Sequence, residues 1–366
     1  MTKPHPLLID LVAGRTLRSR VGEPVVQSAL EHRVAGLLAT AAENGPISPA
    51  AEVILQGVEA STWARNRAIA AAIAGIATVA ASLDIDVAFI KGVTTETRWY
   101  RRMGERPTWD VDLVLAPWHL PRAVDFVAAL QPTHSILPDL PTILKRDRIQ
   151  SIDLGFAGIP VDLHLDPLKL EVARTRFPER LWENLHLIEI EGEEIPVFDP
   201  TVSLLLAALA LNKDRFRYLV GYAVVTRIER DPQVDRARSE KLAKGEGLLG
   251  PYLATLGAVE IDLKQAHPHI YRPHPAWNRI WGPSVRLLGK EASIRYRYRQ
   301  SFIPLFDFRR WPEVVASWLR RAFPTRALLK RLYPDQRGPY LVRIISSRLL
   351  RRLRRGRQRR QLKSAN

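Results

Sequence analysis

Six consecutive residues constrain this chain more than any other feature: Asp110, Val111, Asp112, Leu113, Val114 and Leu115. In an extended strand, alternate side chains share a face. Asp110 and Asp112 therefore point one way, while Val111, Leu113 and Leu115 point the other way into a core. Two carboxylates held side by side repel each other, and a cation between them removes that cost. Oxygen ligands of this hard type favour Mg2+ or Mn2+. The competing reading of so short a pattern is a solvated strand face that happens to carry two acids.

A second segment repeats the alternation. Val161, Asp162, Leu163, His164 and Leu165 put Asp162 and His164 on one face and apolar residues behind them. A third carboxylate on a neighbouring strand is what two-metal phosphoryl transfer requires, because two acids bind both ions and the third completes the site that activates the attacking oxygen. Asp153 competes with Asp162 for that place, and alone either acid reads as an edge residue.

The remaining chain sorts by texture. Of its 366 residues, 46% are hydrophobic and 25% charged, enough apolar material for a core. Residues 1–83 read as helical, with Leu30, Val34, Leu37 and Leu38 at helical spacing and an Ala-rich run over 68–81. Gly45-Pro46 and Ser48-Pro49 punctuate this region. Residues 85–90 form a short β-rich run ending at Lys91-Gly92, with a helix expected over 96–102 and another over 118–130. Two hairpins are expected, one turning at Ala157-Gly158 and one at Glu191-Gly192. From Pro200 an apolar stripe of Val202, Leu205, Leu206 and Leu209 marks a return to helix. Asn212 to Tyr218 reads as a solvated helix junction in which Lys213, Arg217 and Tyr218 are the residues of interest. Residues 251–283 give no clear assignment, and helices are expected over 311–323, 326–332 and 340–355. The fold class is α+β: a small mixed β-sheet core at 84–200, flanked by an N-terminal helical region at 1–83 and a C-terminal helical region at 201–335, with a basic tail at 336–366.

Lys91-Gly92, then Arg106 four residues ahead of the Asp110-x-Asp112 strand, then Asp162-x-His164 occur in that order. This spaced set resembles an uncharacterised nucleotidyltransferase family of the polymerase-β-like superfamily, and the likeness extends over most of the chain. The resemblance implies a small mixed sheet flanked by helices, Mg2+ (or Mn2+) held by Asp110, Asp112 and Asp162, and transfer of a nucleotidyl group from an NTP, with ATP the expected donor. It also implies that Lys91, Gly92, Thr94, Thr95, Arg106 and His164 handle the nucleotide. The superfamily places a Gly-Ser pair where backbone amides hold the triphosphate at a helix start. This chain has Lys91-Gly92-Val93-Thr94-Thr95 there instead. Lys91 is expected to supply a point charge for phosphate, Gly92 close approach, and Thr94 or Thr95 a hydroxyl, the competing reading being an ordinary strand-to-helix turn with a solvated lysine. Trp109 and Val111 also depart from the small or Ile residues usual around the first acid. Arg106 either clamps phosphate or pairs with Glu105 or Asp110. For His164, orienting Asp162, ligating metal, contacting nucleotide and a purely structural role all stay open.

Several classes fall away. Zero cysteines exclude disulfides, thiolate metal sites and cysteine nucleophiles, and make a reducing cytosol the simplest setting. The N-terminal residues lack a signal-peptide pattern, and the longest apolar stretch, 68–83, is too short to span a bilayer. No Walker-type loop or Gly-x-Gly-x-x-Gly is present. His267, His269 and His274 suggest zinc, but their prolines and missing fourth ligand favour a loop. The formal charge of +17 has a local origin: eleven Lys/Arg and no acid follow Pro334-Asp335, which leaves +6 for the preceding 335 residues. That tail suits an anionic membrane surface, inner-membrane attachment of a cytoplasmic protein included, or nucleic acid. A rival to catalysis follows: an inactive nucleotidyltransferase-fold protein that binds through the tail.

Overall fold

A computed structural model of the chain describes residues 4–263 apart from 18, 44, 132, 135–136, 143, 146–150, 169–177, 215 and 217. The expected helices at 311–323, 326–332 and 340–355, the three histidines at 267, 269 and 274, Arg217 and the basic tail lie outside the described residues.

Four helices lead in: α1 (Pro6–Val12), α2 (Glu23–Glu31), α3 (Ala35–Ala42) and α4 (Pro49–Ser82). The last is long because nothing in its Ala-rich run interrupts it. Ser48 accepts a hydrogen bond from the Ala51 amide (3.3 Å) and Pro49 occupies the first turn, a well-capped start. It ends where Asp84 adopts a left-handed conformation, φ 51°. Strand β1 (Val87–Ile90), helix α5 (Gly92–Trp99) and strand β2 (Val111–Leu115) follow. Helix α5 begins four residues earlier than expected, because Lys91 and Gly92 both take positive φ and turn the strand directly into a helix. The helix expected over 118–130 is divided. Pro117–Arg122 is a 3-10 turn containing Pro121, which has no amide to continue an α-helix, and α6 (Ala123–Leu130) follows it. A single turn, α7 (Leu140–Thr142), precedes β3 (Ser151–Phe156) and β4 (Ile159–His164), then β5 (Leu185–Ile190) and β6 (Glu193–Phe198). Both hairpins form as expected. Ala157 and Gly158 (φ 49° and 81°) and Glu191 and Gly192 (φ 52° and 81°) supply the paired left-handed residues of a tight two-residue turn. Four helices close the described chain: α8 (Pro200–Lys213), α9 (Leu219–Glu229), α10 (Arg236–Gly245) and α11 (Leu249–Leu263). Asp199 caps α8 by accepting from the Val202 amide at 3.0 Å.

The six strands form one mixed sheet in the order β3-β4-β2-β1-β6-β5. Strands β2 and β4 run parallel in a register that sets Asp112 beside Asp162 and Val114 beside His164. The fold class is the α+β arrangement expected. On one face of the sheet, Phe89, Leu113, Leu115 and Leu163 pack against Ile69, Ile73 and Ile76 of α4 and Phe126 and Val127 of α6. On the other, Ala88, Ile90, Val114 and Phe198 join a second cluster built from α1–α3 together with α8–α11. Residues from both ends of the described chain thus share one core. Among the described residues no helix is long and apolar enough to cross a membrane.

Candidate active site

The site sits on the second face, where β1, β2 and β4 meet α5, α8 and α9 around a cleft of about 510 Å³. The turn after β1 is its first wall. Lys91 (φ 57°) and Gly92 (φ 49°) reverse the chain, and a Cβ on Gly92 would stand 2.9 Å from Thr108 Cγ2. Only glycine fits that position without moving Thr108. The Thr94 hydroxyl donates to the Lys91 carbonyl at 2.6 Å, and the Thr95 amide donates to the same carbonyl at 3.1 Å. Thr94 and Thr95 are both buried. In this arrangement the Thr94 hydroxyl stabilises the turn itself.

The segment leading into β2 is held by a buried polar knot. Glu96 Oε1 accepts from the Gly104 amide (2.9 Å) and the Arg106 amide (2.8 Å), while Oε2 accepts from Asn66 Nδ2 (2.6 Å). Asn66, on α4, also donates to the Arg106 carbonyl (2.7 Å) and accepts from the Thr108 amide (3.2 Å). Burial pushes the Glu96 carboxyl above the usual range, and the hydrogen bonds from Arg106, Asn66 and Gly104 partly offset this. Two helices therefore fix the loop that carries Arg106, Trp109 and Asp110. Arg106 Nη1 donates to Thr108 Oγ1 at 3.1 Å, and its Nε is buried with no hydrogen-bond partner among the described residues. Glu105 instead accepts from the Arg101 amide and lies 3.8 Å from Arg227.

Asp112 is the hub. Its Oδ1 receives Lys91 Nζ at 3.0 Å and His164 Nε2 at 2.6 Å, and the same His164 nitrogen lies 3.4 Å from Asp162 Oδ2. His164 is 2% exposed, behind the two acids. Burial alone would raise Asp112, but the Lys91 charge and the His164 hydrogen bond hold it well below the usual carboxylate range. Burial would lower Lys91, yet Asp112, Asp162 and Asp214 raise it above the ordinary lysine value. Asp110 is pushed upward by burial and by Asp112. Asp112, Asp162 and His164 each offer a ligand atom, and these atoms all lie within 4.8 Å of one another. Asp110 lines the same cleft but stands outside that group, since it precedes β2 by one residue. Asp153 is opposite Asp162 on the outer strand β3, is exposed, and does not join the group either.

The opposite wall comes from the C-terminal helices. Leu206, Ala207 and Ala210 of α8 and Val220, Gly221 and Val224 of α9 form an apolar lining. Lys213, Asp214 and Tyr218 stand at the mouth. The helix junction is therefore more than a solvated connection: Asn212 is buried and donates to Thr255 Oγ1 at 3.2 Å, and Phe216 is fully buried at φ 55°. Enclosure by the cleft walls and the nearby Lys91 charge lower Lys213 below an ordinary lysine. Sequence reasoning missed Arg33, Asn66 and Glu96. Arg33 and Asn66 lie more than forty residues from the acids, with no local pattern to flag them.

Parallel neighbours β2 and β4 thus bring two acids and a histidine together beside a lysine. The family model described as "Uncharacterised nucleotidyltransferase" matches residues 23–259. The chain belongs to that nucleotidyltransferase family. No curated protein matches it.

Proposed function

We propose that this protein is a Mg2+-dependent nucleotidyltransferase that moves a nucleotidyl group from an NTP, with ATP the expected donor, to an acceptor hydroxyl or phosphate and releases pyrophosphate. The observation that carries the reading is the convergence of Asp112, Asp162 and His164 within 4.8 Å beside Lys91. The residues fit a divalent cation, because Asp162 Oδ1 is buried without a hydrogen-bond partner among the described residues and its neighbours are oxygen and imidazole donors. Such an ion, Mg2+ or Mn2+, would be held by Asp112 and Asp162 with Asp110 alongside, and when bound it supplies charge neutralisation at the reacting phosphate.

The chain's own groups take the remaining roles. His164 holds Asp112 in one orientation through its 2.6 Å hydrogen bond. Lys91, now paired with Asp112, is placed to exchange that partner for a phosphate oxygen, and the Arg106 guanidinium offers a second positive charge. Gly92 lets the backbone approach, and Thr94 and Thr95 shape the turn beneath the phosphates. Asp162 accepts the proton of the acceptor nucleophile. The donor phosphate then exchanges its bond to pyrophosphate for a bond to the acceptor oxygen, with the leaving group in line. The cytosol, as the compartment that holds the NTP pool, is the proposed site of action.

Pyrophosphate release from ATP against pools of acceptors, with Mg2+ present, tests the reading. Asp112→Asn and Asp162→Asn should each abolish release while circular dichroism stays unchanged. Turnover at the wild-type rate in both variants would overturn it.

A further inference from the structure

The mouth of the cleft carries a cluster that metal and triphosphate handling leave unused. Trp109 precedes Asp110 directly, lines the cleft, and is 45% exposed. The Arg33 guanidinium lies 4.7 Å from the centroid of the Trp109 ring and 4.1 Å from that of Tyr218, so it bridges the two aromatics. The Arg65 guanidinium, from α4, is 5.8 Å from the Trp109 ring. Four separate parts of the chain supply these groups: the α2–α3 turn, α4, the entry to β2, and the α8–α9 junction. Arg33 reaches its place from a backbone at φ 60°, a conformation uncommon outside glycine that persists only where the surroundings impose it.

We propose that Trp109 is a stacking platform for a nucleobase of the substrate, with Arg33 and Arg65 meeting the phosphate adjoining that base. This rests on the reading of the cleft as a nucleotide site. An indole that is 45% exposed, with guanidiniums 4.7 and 5.8 Å from its ring centroid, matches a ligand with a π-face and an attached anion. An inorganic anion would make no use of the ring, and a purely apolar ligand would leave both charges beside it. Position agrees as well. Trp109 is three residues from Asp112, a span of at most about 10 Å along extended chain, and a nucleoside phosphate covers a comparable length from phosphorus to the far side of its base. The base belongs either to the NTP donor or to the end of a short polynucleotide acceptor. Both present the same chemistry to the ring.

Tryptophan fluorescence titrations of the full chain with Mg2+ distinguish these, using ATP, tripolyphosphate and a short oligoadenylate as probes. Nucleobase-bearing ligands should quench a component of the emission that Trp109→Phe lacks. Trp109→Ala should weaken binding of the stacked ligand by roughly 5- to 100-fold, and Trp109→Phe should restore most of it. Tripolyphosphate, having no base, should bind wild type and Trp109→Ala alike, which also shows that the variant is folded. Weakening of ATP binding assigns the platform to the donor, and weakening of oligoadenylate alone assigns it to the acceptor. Equal binding of both by wild type and Trp109→Ala would overturn the platform while the transferase reading stands. Failure of ATP and tripolyphosphate alike to bind in an Asp112-dependent way would remove that reading, and the platform with it.

Discussion

On β2, Val111, Leu113 and Leu115 turn toward α4 and α6 and are at most 1% exposed, whereas Asp112 turns toward α8 and α9 and gathers Lys91 and His164. Strand β4 repeats the division, with Val161 and Leu163 on the packed face and Asp162 and His164 on the other. The period of two lets one strand serve both faces without compromise. Each fully buried aliphatic residue on the packed face contributes roughly 1.5–3 kcal/mol. That rigid layer holds acids in positions their mutual repulsion would otherwise scatter. The open face carries like charges, a buried carboxylate oxygen without a hydrogen-bond partner among the described residues, and a cleft. The packed face gives its residues wholly to a core, whereas the other divides them between a second core and the charged site.

The largest effect should come from the open face. Asp112→Asn removes the hub that Lys91 and His164 share, and should lower pyrophosphate release by about a thousandfold or more, with little change in the far-ultraviolet dichroism. On the packed face the outcome should invert. Leu113→Ala, at a fully buried position, should cost about 2–5 kcal/mol in urea unfolding, while the fraction that remains folded keeps its turnover number. Comparable damage to turnover and stability from both variants would break the contrast between the faces. Cation binding sharpens it further. A divalent ion held only by the folded protein stabilises it by about 2.7 kcal/mol at a hundredfold excess over its dissociation constant. Thermal unfolding should therefore shift upward with Mn2+ or Mg2+ in wild type and in Leu113→Ala, and should not shift in Asp162→Asn.

Smaller effects belong to the supports of the open face. Gly92→Ala places a Cβ 2.9 Å from Thr108 Cγ2 at φ 49°, and should destabilise by about 1–2 kcal/mol with a raised KM for NTP. Glu96→Gln removes an acceptor from the knot and should cost about 1–3 kcal/mol. Its pH signature is separate. Burial raises Glu96 in the folded state, so the folded chain holds that proton more tightly than the unfolded chain. The group's contribution to stability thus falls as pH rises from the ordinary glutamate range through its raised value, and then levels. Denaturant midpoints across that range should show the fall in wild type and a flatter profile in Glu96→Gln.

Much of this was legible from local pattern. The alternation at 110–115 and 161–165 marks two half-apolar strands, and Ala157-Gly158 and Glu191-Gly192 mark their kind of turn. The convergence of Asp112 with Asp162 needed the parallel register of β2 and β4, which joins residues fifty positions apart. No local rule encodes that pairing. Arg33 had no signal at all, because its importance depends on a turn that aims it at Trp109 and Tyr218. The Asn212–Tyr218 segment looked solvated because its charges are conspicuous, while its packing through Asn212 and Phe216 depends on α11 and the helical core.

By itself, the order of residues determined the short-range features of this protein: which side chains share a strand face, where the chain reverses, and where Ala-rich helix persists. These follow from backbone geometry and steric limits acting over a few residues. The tertiary structure alone decided which acids meet, that His164 bonds Asp112 as well as approaching Asp162, that Asp110 stands beside the ligand group, and that helices from both ends of the described chain close one core. Those outcomes depend on strand order and helix packing. Both are set by burying many apolar surfaces at once, a sum over the whole molecule that no single segment contains.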